Sequence, residues 1–345
     1  MDRGCRFAVR WGGARAVRAG LLWLVVAAAP VVAAPPPLAP IALSNEMPMS
    51  AAFLQLPPAD ARGLAASAWS ATLTLHAANM IMAEEQDGVA MRMDLESETA
   101  RLALAYGAAE RATVRATLGY RWHTGGVLDG FIASAEDHLG LPTPWSRRHT
   151  DRGETDWSIR EGETTTFAAA DPASGATDLA ADLAWRLTDA RGFRPATAVR
   201  VGVKLPTAPV RDGLGSGGVD WAIGGLATFP ATRWATHLAA AMVWPSRHHG
   251  LAGTAFASTS PFASASATEV AALGRQWEAS CSLAWRESPY SQQIDSILEA
   301  SSMEVAFGLR RRAAGSSLFF ALTENLLDKG APDLGLLFGV EVGRW

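Results

Sequence analysis

The chain has 345 residues, with 30 basic side chains against 34 acidic ones and a hydrophobic share of 49%. A net charge of −4 offers no surplus of cations to a phosphate backbone, which argues against a nucleic-acid partner. Beyond the N-terminus no stretch approaches the ~18 uninterrupted apolar residues of a membrane-spanning helix.

Arg3, Arg6, Arg10, Arg15 and Arg18 precede an apolar run from Ala19 to about Ala34, so residues 1–34 are expected to be an export signal. Without these five arginines and Asp2, 25 basic side chains face 33 acidic ones, a net of about −8. Cys5 lies in this leader, which leaves Cys281 alone and excludes an internal disulfide. Residues 35–63 are rich in proline and alanine and poor in charge, and they read as a periplasmic segment ahead of the fold. The remainder, 64–345, carries a different signal.

From about Ala66 to His76, Trp69, Ala71, Leu73 and Leu75 alternate with Ser70, Thr72, Thr74 and His76. A period of two is that of a strand with one apolar and one polar face. Glu96–Tyr106 repeats it, and the tight G-A-A-E link at 107–110 leads into Ala112–His123, the clearest case. Further candidates start at Leu179 and Val199, then fall near 219–229, 234–243, 269–277, 278–285, 303–309, 318–325 and 334–342. About twelve such strands, short links on one side and longer ones on the other predict an all-β fold, a closed antiparallel transmembrane barrel.

Between Thr124 and Thr177, Leu128, Phe131, Ile132, Ala135 and Leu139 recur at helical spacing, which predicts a short amphipathic helix in a long extracellular loop. D-W-S-I-R-E-G-E-T-T-T-F then predicts a hairpin turning at Glu161 and Gly162. This loop is expected to cap the barrel or plug it. Trp69, Trp122, Trp157, Trp185, Trp221, Trp234, Trp244, Trp285 and Trp345 sit near strand ends, where interfacial girdles form. The last strand ends on Trp345, off the face shared by Leu336, Phe338, Val340 and Val342, so a slip near Gly343 is expected.

Gly213, Gly215 and Gly218 satisfy G-x-G-x-x-G, but V-D-W-A-I-G-G-L-A-T-F follows as a strand where a nucleotide site requires a helix. The glycines are read as a turn. His248 and His249 are adjacent and the histidines show no ligand spacing, so neither metal nor cofactor is expected. No serine stands in a G-x-S-x-G setting. An outer-membrane hydrolase with a Ser–His pair stays open as an alternative, as does a filled barrel with a structural role.

Arg101, Arg115, Arg121, Arg186, Arg200 and Lys204 share the polar parity of their strands. If the apolar face meets lipid, they line the lumen, either as an attractive field for anions or as a salt-bridge ladder with Asp178, Asp182, Glu278 and Glu304. His123, Asp129, Glu136, Asp137 and His138 are expected to cluster near the mouth.

W-H-T-G-G-V-L-D-G-F-I-A-S-A-E-D-H-L-G-L-P at Trp122–Pro142, V-K-L-P-T-A-P-V-R-D-G-L-G-S-G-G-V-D at Val203–Asp220 and T-E-N-L-L-D-K-G-A-P-D-L at Thr323–Leu334 together resemble an uncharacterised family of gram-negative outer-membrane barrels, domain-of-unknown-function family three-one-eight-seven. Ala135 and Glu136 stand where that family has a second histidine, and Ala208 where it has a glycine. The resemblance implies a barrel similar to the porin-like proteins linked to aromatic-compound degradation, and no particular activity. The expected role is passage or uptake of a small-molecule solute, with outer-membrane lipids and, through the C-terminal strand, the barrel assembly machinery as partners.

Overall fold

The computed structural model describes residues 38–126, 128, 130, 155–169, 172–254, 256–291, 301–327 and 330–344. Its strands are β1 (Trp69–Gln86), β2 (Val89–Ala109), β3 (Ala112–Thr124), β4 (Asp156–Glu161), β5 (Thr164–Ala168), β6 (Ala173–Ala176), β7 (Leu179–Thr188), β8 (Ala196–Leu205), β9 (Asp220–Pro230), β10 (Trp234–Trp244), β11 (Phe262–Ala272), β12 (Trp277–Glu287), β13 (Ser301–Ala313), β14 (Ser316–Asn325) and β15 (Leu334–Arg344). Twelve of them, β1–β3 and β7–β15, pair antiparallel in sequence order, and β1 closes on β15 from Trp69↔Arg344 to Asn79↔Leu334. Closure pairs the backbone around the ring, the condition for placing strands in hydrocarbon.

Side chains sort as the alternation predicts. Leu75, Leu118, Leu183, Val201, Ile223, Leu238, Leu283, Phe307, Leu318 and Phe338 are exposed on the outer surface, while Thr74, Thr99, Arg121, Arg200, Thr228, Thr268, Ser282 and Arg310 are buried within. Trp69, Trp185, Trp234 and Trp277 are exposed at the end with the short turns, and Trp221 and Trp244 at the other. Trp234 and Trp244 end the same strand, about 33 Å apart along it at 3.3 Å per residue. At the usual tilt this gives an apolar band about 25 Å tall.

Several expectations are corrected. β1 and β2 are 18 and 21 residues long and run past the wall, where β2 pairs with β4 from Val89↔Glu161 to Asp94↔Asp156. The sequence concealed this because facing inverts in content: Met91, Met93 and Leu95 lie on the same parity as Thr99 and Arg101, but above the lumen they cover other protein. β11 starts at Phe262 rather than near Glu269, since F-A-S-A-S-A-T alternates only alanine with serine. Pairing of β15 with β1 is continuous through Gly343, so no slip occurs there; Trp345 lies outside the described residues. Trp157 is 2% exposed and belongs to the cap rather than a girdle.

The β4–β5 hairpin forms as predicted, its turn at Gly162. Of the predicted loop helix, Leu128 and Gly130 are helical, and the rest lies outside the described residues. The glycine string opens into β9, as a turn should. Its Gly213 has φ +65, and a Cβ there would stand 1.9 Å from the Trp157 ring, so the glycine admits that indole.

The main correction concerns the stretch read as a periplasmic segment. Residues 38–64 run inside the barrel as an inverted U. The ascending arm passes His237 and Arg310 near Leu38 and Ala39, a four-residue helix α1 (Pro48–Ala51) turns it, and the descending arm passes Asp220, Arg200 and Thr228 at Leu54, Pro57 and Ala61. Both arms meet again where Arg62 donates to the Leu38 carbonyl. Two causes favour the interior. Side chains fill a ring of about eight strands, whereas a ring of twelve is wider and needs further filling. The top of the U is also apolar, with Met47, Met49, Phe53 and Leu54 packed among Met80, Met91, Met93, Leu95, Trp157, Phe256 and Tyr290, and each such side chain contributes about 1.5–3 kcal/mol on burial.

Candidate functional site

The lumen is a contact surface between the wall and this internal segment, and its chemistry is ionic. Glu46, just before α1, is fully buried. Its Oε1 accepts from Arg101 Nη2 at 2.8 Å, and its Oε2 accepts from Arg121 Nη2 at 2.8 Å and Thr99 Oγ1 at 2.9 Å. His76 Nδ1 lies 3.4 Å from Oε1. These partners come from three adjacent strands, and register explains it: Thr99 is opposite both His76 on β1 and Arg121 on β3. Burial works to raise the Glu46 pKa, but Arg101, His76 and Arg121 together hold the carboxyl well below the usual range.

A second node lies across β3, β7 and β8. Asp182 accepts from Arg115 Nη1 at 3.2 Å and from both Nε and Nη2 of Arg200, at 2.7 and 2.8 Å. At a third, Glu278 sits 3.4 Å from Arg310 and 3.3 Å from Arg312. Lys204 reverses the pattern, with Asp178 at 2.8 Å and Asp220 at 3.3 Å. The same cations also hold the segment by its carbonyls: Arg200 donates to Pro57 O at 2.7 Å, Lys204 to Ala52 O at 2.9 Å and Arg310 to Ala39 O at 2.8 Å. At the top, Tyr290 Oη donates to Met49 O at 2.9 Å. Leu56 lies against Gly202, where a Cβ would meet its methyl at 2.7 Å.

Of the residues expected to line the lumen, Arg101, Arg115, Arg121, Arg200 and Lys204 face inward, each with an acidic partner. Asp178 and Asp182 pair across strands as the ladder reading expects, whereas Arg101 and Arg121 pair with Glu46 of the segment instead. Arg186 departs from expectation: it binds the Glu110 and Arg62 carbonyls and Asp189 at the short-turn end. His123 is buried beneath Trp157, ring centroids 6.2 Å apart. Asp129, Glu136, Asp137 and His138 lie outside the described residues. Sequence reading missed Glu46, Arg310 and the wall's hold on the segment; the available signal was a supposed linker carrying Ile41, Leu43, Met47, Met49, Phe53 and Leu54, too apolar to remain in water.

Between the segment and the wall lies a cavity of ≈ 280 Å³, lined among others by Leu54, Leu56, Arg101, Arg121, Asp182 and Lys204. A smaller one of ≈ 60 Å³ lies toward Arg286 and Glu304.

A closed antiparallel ring with an apolar outer belt, tryptophan bands and a polar interior defines a bacterial outer-membrane β-barrel. The chain belongs to the family described as protein of unknown function DUF3187, which it matches over residues 18–343. Among solved structures, the COG4313 outer membrane channel from Pseudomonas putida F1 shares the fold, with a TM-score of 0.53 and 14% identity over 84% of this chain and 100% of that one. The NanC porin aligns at a TM-score of 0.43 and 8% identity, over 79% of this chain and 99% of that one, too distant to carry an argument. No curated protein matches the sequence.

Proposed function

We propose that this barrel is a channel for a small solute and that its own N-terminal segment closes it. One observation carries the reading: residues 38–64 occupy the lumen through hydrogen bonds, ion pairs and packing alone, and leave a ≈ 280 Å³ cavity along charged wall residues. A barrel filled only for rigidity has no need of such a space beside buried ion pairs, whose desolvation cost makes them a weak source of stability. Passage requires the segment to shift, which breaks the polar hold of the wall on Glu46, Pro57 and Ala52. The proposal extends to Arg101, Arg115, Arg121, Arg200 and Lys204, which would serve as anchors of the closed state and line the path once it opens.

Planar-bilayer recording tests this. The full chain is expected to show rare, small openings, and a chain lacking residues 38–62 persistent, larger ones. Equal conductance from both, or none from either, would refute the reading.

A further inference from the structure

The Glu46 site has the composition of a ligand site occupied by the protein itself. Two guanidinium groups, a hydroxyl and an imidazole converge on one carboxylate, and the donors all belong to the barrel wall while the acceptor belongs to the internal segment. The clamp also holds a donor that Glu46 leaves unused: Arg121 Nη1 is buried without a hydrogen-bond partner, on a side chain 1% exposed. A buried guanidinium N–H without a partner carries a desolvation cost, and a carboxylate not tethered to the chain is free to turn toward a donor that the Glu46 side chain leaves unmet. Arg101 and Arg121 also border the ≈ 280 Å³ cavity, close to the lower end of the about 300–1,000 Å³ of pockets for small organic ligands.

We propose that the clamp of Arg101, Arg121, Thr99 and His76 is the binding site for the cargo's carboxylate, and that Glu46 occupies it in the closed state as an internal mimic. The cargo class is a small organic monocarboxylate with an apolar body. One carboxylate follows from the charges: Arg115, Arg200 and Lys204 on the same cavity are already matched to Asp182 and Asp178. The apolar body follows from Phe53, Leu54, Leu56, Leu64 and Phe319 in the lining. Cargo binding and opening are then one exchange, since a carboxylate entering the clamp must displace Glu46. That the bound anion is cargo rests on the channel reading above.

The test is calorimetric titration of the folded full chain in detergent with benzoate, and with benzyl alcohol as its neutral counterpart. Glu46→Gln removes the internal competitor and is expected to tighten benzoate binding about tenfold or more, with benzyl alcohol unchanged. Equal affinity of wild type and variant for benzoate, or an equal gain for both compounds, overturns the proposal. Should Glu46→Gln fail to fold, the wild type decides: saturating benzoate, and not benzyl alcohol, is expected to expose the segment to trypsin after Arg62. Absence of benzoate-dependent cleavage overturns it. The two readings fail separately, because ionic conductance without benzoate binding removes the clamp and keeps the channel, whereas benzoate binding without conductance does the reverse.

Discussion

Replacing Arg200 by methionine probes the wall's hold on the segment, because this one side chain serves both. Its guanidinium is 3% exposed, gives two charge-assisted hydrogen bonds to Asp182 at 2.7 and 2.8 Å, and a third to Pro57 O at 2.7 Å. Removing one partner of a buried ion pair costs about 3–5 kcal/mol. Asp182 keeps Arg115 at 3.2 Å, which places Arg200→Met near the low end, at about 3 kcal/mol. Asp182→Asn strands Arg115 and Arg200 and is expected to cost a similar amount. The double variant should cost less than the sum of the two by about 1–3 kcal/mol, the range for residues in one network. Urea titration of the barrel in lipid vesicles measures all three. In planar bilayers Arg200→Met should also raise the open fraction, since it releases Pro57, whereas the wall pair alone would not. Additive costs with an unchanged open fraction would refute the reasoning.

Three further outcomes are expected. Gly213→Ala places a methyl against the Trp157 ring at φ +65 and should loosen the cap by about 1–3 kcal/mol, seen as a red shift of Trp157 fluorescence with the barrel intact. Burial, followed by the charges of Lys204 and His249, lowers the His248 pKa from 6.5 to about 3. The stability this gives is full above pH 6.5 and is lost as pH falls from there toward about 3, so His248→Phe should flatten cap stability between pH 6.5 and 4.5 in hydrogen exchange of residues 246–257. Leu238→Arg, on the outer face between Trp234 and Trp244, should cost about 2–4 kcal/mol in vesicle refolding, against little change if that face met water.

How much of this was legible depended on whether a residue's surroundings were set by the strand alone. At Val114, Leu118 and Tyr120 one face meets lipid and the other the lumen, so period two decides orientation. At Met91, Met93 and Leu95 the same geometry holds, but the inward neighbour is the packed top of the internal segment, and apolar residues stand on what is elsewhere the polar parity. Ala263, Ala265 and Ala267 of β11 are too small to register an apolar face. The inward cations were correctly faced, yet their partners were not all readable. Asp182 stands directly across from Arg115 in register, whereas Glu46 lies 55 positions from Arg101 and reaches it only through the folded segment. Residues 38–64 have neither strand period nor helix length, since their conformation follows the wall they contact.

Hydrogen exchange of residues 45–57 in the folded barrel tests the central claim most directly. If the segment is bound within the lumen, the amides of Met47, Ala51 and Leu54, which donate to Asn45 Oδ1, Met47 O and Asp220 Oδ2, should exchange far more slowly than in an unstructured peptide, and Glu46→Ala should speed them together. Exchange at free-peptide rates in the intact barrel would place the segment outside and contradict the account.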